Sequence, residues 1–263
     1  MARPIWTGAV SFGLVNVPVA LLAAARDLGV HFHQLDKRSK ARIEVRRVCS
    51  KEGKPVDYDE IARGYDTGSD CVMLGDEELA ALEPSKTKTI DVEAFVDLES
   101  IDPASFDHPY FLVPVGGEGA ARAYRLLADV MHRKERVAIG RFVLRTREYL
   151  VALRVRDGVL SLSTMLFEDE LRSPKDLGDA RVTAKDKPSK QALTNATKLV
   201  KALTTDFDPS AYEDRHRKRV EELIAKKRKG GEIAAAPEPE TPAPAPDLLA
   251  ALRESLAAVQ ARS

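Results

Sequence analysis

Three stretches of the sequence are dense in lysine and arginine, the residue types that bind phosphate oxygens. Residues 37–54, 133–156 and 215–229 each hold eight basic residues against two acidic ones. Because a polyanion is held by many cations at phosphate spacing, the three stretches together favour a nucleic-acid ligand. Each stretch alone also has a structural explanation. The arginines of 133–156 fit outward positions on strands, and the lysines and arginine of 226–229 fit the C-terminal end of a helix dipole.

Motifs of catalysis are missing from the sequence. It contains no GxxxxGK[ST] phosphate loop and no GxSxG, HExxH or CxxC motif. His31 and His33 would share one face of a strand and could bind a metal, but no carboxylate or cysteine lies at motif spacing. A packed or surface pair is therefore favoured over a metal hydrolase. The motifs alone indicate a polyanion-binding protein without a recognisable catalyst.

Composition and charge exclude several classes of protein. Hydrophobic residues make up 44% of the 263 residues, which is enough for a core, and 41 basic residues balance 41 acidic ones. A uniformly basic coat is excluded, yet residues 57–107 hold fifteen acidic residues against three basic ones, so the charge is segregated. Cys49 and Cys71 are too few for a disulfide framework or a four-cysteine zinc site, and they indicate a reducing, cytosolic setting. No run approaches the roughly 20 apolar residues of a membrane span.

The N-terminal residues could be mistaken for a signal peptide. Arg3 precedes an apolar stretch that ends in Ala23-Ala24-Ala25. Glycine, proline and other residues interrupt any helix there, and we interpret residues 11–19 as a buried strand instead. The interrupting residues are Pro4, Trp6, Gly8, Gly13, Asn16 and Pro18.

Short apolar runs predict a domain rich in strands over residues 1–172. Asp157-Gly158 predicts a two-residue hairpin turn, because both residues tolerate positive φ. Regular short strands with turn signals favour a barrel or a sandwich. Strands are predicted at 95–98, 110–115, 137–144, 149–155 and from Leu160 onwards. Helices are predicted at 77–82, capped by Asp76, and at 121–132, with Ala123, Leu126, Leu127 and Val130 on one face.

The residues from 173 onwards differ in character from the first domain. A loop over 173–188 precedes a helix that begins at Ser189, and Asp208 with Pro209 predicts the start of a second helix that ends at Gly230-Gly231. Their apolar stripes are narrow, so residues 173–231 are expected to dock on the first domain or on a partner chain. The stripes are Leu193, Ala196, Val200 and Leu203, then Tyr212, His216, Val220, Leu223 and Ile224.

A linker and a short helix complete the predicted organisation. Residues 232–246 carry five prolines and are typical of an extended linker. Residues 247–263 predict one amphipathic helix, with Leu248, Leu252 and Leu256 on its apolar face. A helix of this length is marginal alone in water, which is typical of a docking peptide, although an inert frayed terminus is the alternative.

Several segments resemble bacterial Ku proteins. Ile5-Trp6-Thr7-Gly8-Ala9-Val10-Ser11-Phe12-Gly13-Leu14-Val15-Asn16-Val17-Pro18-Val19 is similar to the opening of that family. The resemblance extends in order over residues 3–230. The further matching segments are Phe32-His33-Gln34-Leu35, Gly53-Lys54-Pro55-Val56 with Gly64-Tyr65, Ala138-Ile139-Gly140-Arg141, Leu166-Phe167-Glu168-Asp169-Glu170-Leu171-Arg172, and Phe207-Asp208-Pro209 with Tyr212-Glu213-Asp214.

The resemblance implies a mixed β fold with helices, namely a Ku-like β-barrel core with a C-terminal helical arm, in a ring-shaped homodimer around a DNA duplex. It implies binding to double-stranded DNA ends without sequence preference, and recruitment of an ATP-dependent ligase of the ligase D type for non-homologous end joining. It further implies no catalytic site, cofactor, metal or small-molecule substrate, no membrane, and a cytoplasmic, nucleoid-associated bacterial protein.

The same resemblance gives candidate DNA-binding residues. Arg42, Arg46 and Arg47 lie where the DNA-facing segment of the family begins, with Lys37, Arg38 and Lys40 just before them. Arg141, Arg145 and Arg147 come next, and their odd positions on one strand would share one face.

The C-terminal end departs from the family pattern. Some relatives carry a long lysine-rich tail, whereas this chain has a Pro/Ala-rich linker and a leucine helix. Leu248, Leu252 and Leu256 are therefore the expected anchors for the ligase. The alternative hypothesis is a pure interaction scaffold, in which the basic stretches are solvated faces and the tail helix binds the partner protein.

Overall fold

The computed structural model describes residues 3–82, 88–176, 189–230 and 248–260. It divides the chain into two compact units. The first consists of the residues up to 27 together with residues 33–176, and the second of residues 28–32 together with those from 177 onwards. The predicted linker at 232–246 and most of the predicted loop, 177–188, lie outside the described residues.

Seven strands of the first unit form a closed barrel, in the order β1-β2-β6-β9-β8-β7-β5. Neighbouring strands are antiparallel except for β1 and β5, which are parallel. A separate two-stranded sheet pairs β3 with β4. The strands are β1 (Trp6–Phe12), β2 (Val15–Ala23), β3 (Arg63–Asp66), β4 (Cys71–Leu74), β5 (Thr89–Asp97), β6 (Phe106–Pro114), β7 (Arg136–Leu144), β8 (Arg147–Arg156) and β9 (Val159–Met165).

Tight turns connect the antiparallel pairs. Asp157 and Gly158 have φ values of 51° and 75°, which confirms the predicted hairpin between β8 and β9. The prediction of one strand over 11–19 is wrong. Gly13, with a φ of 60°, reverses the chain there, and Phe12 pairs with Val15 as β1 turns into β2. Apolar residues on both sides of the turn concealed the reversal.

The barrel core follows from the two-residue period of its strands. Side chains at alternate positions point inward and are excluded from solvent, for example Val10, Leu112 and Leu153. Trp6 packs edge-to-face on Phe142, with 5.6 Å between the ring centroids. This alternating apolar set gives the barrel a continuous core that does not depend on the second unit.

Two helices belong to the first unit, α1 (Asp76–Leu82) and α2 (Glu118–Arg133), and α2 packs against β2, β6, β7 and β8. The Tyr124 hydroxyl donates to the Leu112 carbonyl at 2.7 Å and accepts from the Leu160 N–H at 2.8 Å. Burial raises the pKa of Tyr124. These bonds fix which face of α2 is turned to the core.

The predicted apolar face of α2 is partly wrong. Leu126 and Val130 are 66% and 51% exposed. The residues that are buried are Tyr124, Leu127, Ala128 and Met131. The prediction omits Tyr124, Ala128 and Met131, which the helix turns to the core beside Leu127.

The second unit contains three described helices, α3 (Lys190–Leu203), α4 (Arg215–Arg228) and α5 (Leu248–Gln260). The predicted start of the second helix at Asp208 is wrong. Asp208 caps a 3₁₀ turn, Pro209–Ala211, and α4 begins after Asp214, whose carboxylate accepts from the Arg217 N–H at 2.9 Å. Both aspartates are good capping residues, and the sequence offered no way to choose between them.

Helix α5 packs against α3 within the second unit. The half-buried residues of α3 are Ala192, Asn195, Ala196 and Leu199. Leu193, Val200 and Leu203, from the predicted stripe, remain 53%, 66% and 60% exposed. Among the described helices, none is long and apolar enough to cross a membrane.

Candidate nucleic-acid interface

The long connection between β2 and β5 carries the first basic stretch. It leaves one end of the barrel after Ala23 and returns to the same end at Thr89, because β2 and β5 run in opposite directions. We call residues 33–56 the basic connection. Each of its residues is exposed except Cys49 and Val56, which are half-buried. Apolar burial therefore does not hold this segment, and its shape must come from local hydrogen bonds.

A first hairpin surrounds Asp36. Its carboxylate accepts hydrogen bonds from the Ser39 N–H at 2.7 Å and the Ser39 hydroxyl at 2.8 Å. Leu35 and Arg42 form an isolated antiparallel β-bridge. These bonds, that of the Ser39 N–H first, hold the pKa of Asp36 below its usual value. Lys40 takes a φ of 58° to complete the turn. The turn thus presents Lys37, Arg38 and Lys40 together at one tip.

A second hairpin follows at residues 48–55. The Cys49 N–H donates to the Lys54 carbonyl at 2.9 Å, and the Gly53 N–H donates to the Cys49 carbonyl at 2.8 Å. Gly53 has a φ of 68°, which favours glycine. The backbone N–H groups of Glu52 and then Lys51 lower the pKa of the Cys49 thiol. The turn is therefore preorganised, and it carries Lys51 and Lys54 on an exposed loop.

Arg46 and Arg47 lie between the two hairpins. Arg46 makes an exposed ion pair with Glu44 at 3.7 Å, and the Arg47 guanidinium lies 5.4 Å from the centroid of the Tyr58 ring. A stacked guanidinium keeps its donors free for a phosphate. In the described part of the chain, no ion pair engages the other six cations of the basic connection. These are Lys37, Arg38, Lys40, Arg42, Lys51 and Lys54.

The prediction that Arg141, Arg145 and Arg147 share one face of one strand is wrong. Arg141 lies on β7, Arg147 on β8, and Arg145 in the turn between them with a φ of 62°. Arg141 pairs with Glu148, whereas Arg147 lies over the Tyr149 ring, and adjacent strand residues point to opposite faces. The hairpin turn placed among these residues breaks the alternation that the prediction assumed.

Carboxylates already engage two of these arginines. Arg141 contacts Glu93 at 3.2 Å and Glu148 at 3.6 Å, and Arg147 donates to Glu170 at 2.8 Å. A cation held by a carboxylate must give up that partner to bind a phosphate. Arg145, for which the described residues show no ion pair, is the member of this group that is best placed to contact a polyanion.

The three expected ligase anchors lie on α5. Leu252 is half-buried. The side chains of Leu248 and Leu256 lie outside the part of the structure that is described. Because α5 packs on α3, the tail helix is a third element of the helical unit.

The structure brings Lys37, Arg38 and Lys40 together and keeps Arg141 and Arg147 apart. The candidate list from the sequence stopped at Arg47 and so omitted Lys51 and Lys54, although the charge count of residues 37–54 includes both. Gly53, which favours a turn, and the charged residues beside it were the signal in the sequence that this tip would be exposed. No group of three or more His, Cys, Asp or Glu residues that could hold a metal is found among the described residues.

Comparison with known proteins identifies close relatives. The family model described as the Ku70/Ku80 beta-barrel domain matches residues 11–195. Non-homologous end joining protein Ku of Anaeromyxobacter sp. (strain K) is 44% identical over 264 residues, which cover 100% of this chain and 88% of the relative. Non-homologous end joining protein Ku 1 of Saccharopolyspora erythraea is 40% identical, covering 97% and 78%. Ku 1 of Geotalea uraniireducens is 38% identical, covering 97% of both chains.

Proposed function

This chain belongs to the Ku family of non-homologous end-joining proteins, and on that premise we propose that it binds double-stranded DNA ends without sequence preference. Two copies form a ring through which a duplex threads from its end. The protein acts as a binding and recruiting factor, with no catalysed reaction of its own. It brings an ATP-dependent ligase of the ligase D type to the break in a bacterial cytoplasm.

The observation that carries the proposal is the basic connection. Six of its cations lie on two preorganised, exposed hairpins, and the described residues offer them no ion pair. Phosphate contacts position a protein on DNA but carry no sequence information, which fits a factor that must accept any end. Lys37, Arg38, Lys40, Arg42, Arg46 and Arg47 are the proposed phosphate contacts, with Lys51 and Lys54 added from the second hairpin.

The barrel arginines follow in rank. Arg145 stands next, since its turn position leaves it free of the carboxylates that engage its neighbours. Arg141 and Arg147 remain candidates, but each must first exchange a glutamate for a phosphate. An exposed ion pair is worth only about 0–1 kcal/mol, so this exchange is possible and weakens the contact.

The exposed stripe of α3 supports the homodimer. Leu193, Val200 and Leu203 are more than half exposed, although they lie on one side of the helix. Apolar side chains in such a row are commonly covered by a partner. A second copy of the chain is the partner that a ring requires, and replacing Leu193 and Val200 by glutamate is expected to give monomers in sedimentation.

Ligase recruitment is assigned to the C-terminal helix. Leu248, Leu252 and Leu256 are the proposed anchors. Because α5 packs on α3, the ligase must either bind the outer side of this pair or displace α5. The variant Leu252→Glu is expected to keep DNA affinity and to lose stimulation of the ligase.

Gel-shift titration of linear and covalently closed duplex of the same sequence tests end binding. Affinity for the linear form should be much higher, since a closed circle offers no tip to thread. Two linear duplexes of unrelated sequence should bind alike. Equal affinity for the linear and the closed circular duplex would contradict threading from an end. A strong preference for one of the two linear sequences would contradict binding through phosphate contacts alone.

A further inference from the structure

A cavity of about 1090 Å³ opens at the end of the barrel opposite the basic connection. Asp97 at the end of β5, Arg136 at the start of β7 and Arg156 at the end of β8 line it, together with the C-terminal end of α2. The long connection that contains residues 33–56 leaves and returns at the other ends of β2 and β5, and none of residues 33–56 lines the cavity. The cavity is therefore separate from the cations proposed to contact DNA.

Among the described residues, some arginines that line the cavity are paired with carboxylates and others are not. Arg136 is paired with Asp97, and Arg156 lies 3.8 Å from Asp157. Arg154, which also lines the cavity, makes no ion pair with any described residue, and its Nε is excluded from solvent with no hydrogen-bond partner among those residues. A buried donor left unpaired costs free energy in the folded protein, so this arrangement calls for an acceptor that is missing from the free chain.

The remaining lining restricts what that acceptor can be. Met131, Val137 and Val155 supply apolar surface, and Glu99 and Glu135 place carboxylates beside it. A DNA duplex is a rigid rod with a phosphate on every nucleotide, and those carboxylates would repel it. A peptide can insert one acidic side chain and pack an apolar neighbour on the wall, while its backbone N–H groups face the glutamates.

We propose that this cavity binds an acidic peptide segment of a partner protein, with one carboxylate held by Arg154. Arginine and carboxylate form a two-pronged pair in which Nε and one Nη both donate. The Arg154 guanidinium completes this pair by turning toward the cavity, which satisfies the Nε–H that the free protein leaves unpaired. Met131 and Val155 then select an apolar residue beside the acid.

Selection of random peptides displayed on phage, against the full-length protein, tests the proposal. The variant Arg154→Met serves for counter-selection, since methionine keeps the apolar stem and removes the charge. Peptides enriched on the wild type should each carry an aspartate or glutamate next to an apolar residue. Enrichment of peptides without an acid, or no enrichment beyond that on the variant, would overturn the proposal.

Affinity measurements on one selected peptide locate its site. Fluorescence anisotropy should show binding to Arg154→Met at least about tenfold weaker, as expected for a charged contact. The matched control Arg122→Met removes an exposed α2 arginine, paired with Glu118, that does not line the cavity, and it should bind as the wild type does. Equal binding to both variants would contradict the site.

Two further readouts separate this site from a structural role and from DNA binding. Arg154→Met should melt about 2 °C or more above the wild type, because it removes an unpaired buried donor. A lower melting temperature would show that Arg154 holds the fold together. Affinity for linear duplex should be unchanged, and a loss of DNA binding would assign the cavity to nucleic acid and overturn the peptide assignment.

Discussion

The barrel and the basic connection are held in shape by different forces. The barrel buries a continuous set of apolar side chains, among them Leu153 and Leu160, which are fully excluded from solvent. The basic connection leaves nearly every side chain exposed and relies on turns such as that capped by Asp36. Its conformation therefore depends on local bonds that survive without a core.

The charges of the two regions differ in the same way. In the barrel, Arg136, Arg141 and Arg147 each contact a carboxylate. Six cations of the basic connection have no ion pair with a described residue. The number of basic residues does not distinguish the two regions, since residues 37–54 and residues 133–156 each hold eight. What distinguishes them is whether the fold supplies a counter-charge, and we propose the region without one as the DNA-binding surface.

The largest effect is expected from neutralising unpaired cations. Lys37→Gln, Arg38→Gln and Arg42→Gln together should weaken binding to linear duplex by about 1,000-fold, since each charged contact is worth about 1.5 kcal/mol or more. The slope of log affinity against log salt should become less steep by about 2 to 3, because about 0.9 is lost per phosphate. Titrations at several salt concentrations measure both.

The matched triple variant is Arg136→Gln, Arg141→Gln and Arg147→Gln in the barrel. Because carboxylates already hold these three side chains, we expect it to change affinity less than about threefold. A comparable loss in both triple variants would break the distinction between paired and unpaired arginines. It would also raise Arg141 and Arg147 to the same rank as the cations of the basic connection.

Truncating an apolar side chain should lower the free energy of unfolding much more in the barrel than in the basic connection. Leu153→Ala in the barrel should cost about 2–5 kcal/mol in the free energy of unfolding, since it removes a fully buried side chain. Val45→Ala in the basic connection, at 90% exposure, should cost less than about 0.5 kcal/mol. Urea denaturation measures both, and similar costs would show that the connection has a core of its own.

The hydroxyl of Tyr124 provides a smaller test of the barrel. Tyr124→Phe should destabilise the protein by about 1–3 kcal/mol, because the Leu112 carbonyl and the Leu160 N–H each lose a partner. Tyr58→Phe, two residues beyond the basic connection, keeps the ring beneath Arg47 and should change the free energy of unfolding little. If Tyr124→Phe is as stable as the wild type, α2 is held to the barrel by packing alone.

The smallest effect concerns the second hairpin. In a Cys71→Ser variant, the rate of alkylation of Cys49 against pH should have its midpoint below the value of about 8.5 for an unperturbed thiol. The N–H groups of Glu52 and Lys51 favour the thiolate, so the pKa falls. In urea the midpoint should return to the ordinary value. A midpoint that does not move on unfolding would mean that the turn is not preformed without DNA.

Much of the barrel could be predicted from sequence because its signals are local. Asp157-Gly158 fixes one hairpin, and the two-residue period of Leu160 and Leu162 fixes the inward face. The reversal at Gly13 and the rotation of α2 toward Tyr124 could not be predicted in this way. Both depend on which strand or carbonyl lies opposite, and that is decided by the closure of the barrel.

The candidate site was predictable as a region and less so by residue. A count of charges marked residues 37–54 together with two other stretches, and the resemblance to bacterial Ku proteins favoured residues 37–54 as the first candidates for DNA binding. The count could not show that Glu93 and Glu148 hold Arg141, since residue 93 is far from 141 in sequence. Which charges pair across strands depends on the strand register, and the register cannot be predicted from the residues of one strand alone.

We propose that the protein encloses a DNA duplex that enters the ring from its end. Enclosure is tested most directly by loading the protein onto a linear plasmid, closing the plasmid with a ligase, and then raising the salt concentration. We expect protein on the closed circle to stay bound at a salt concentration that releases it from the linear form. Release from both forms at the same salt concentration would contradict enclosure.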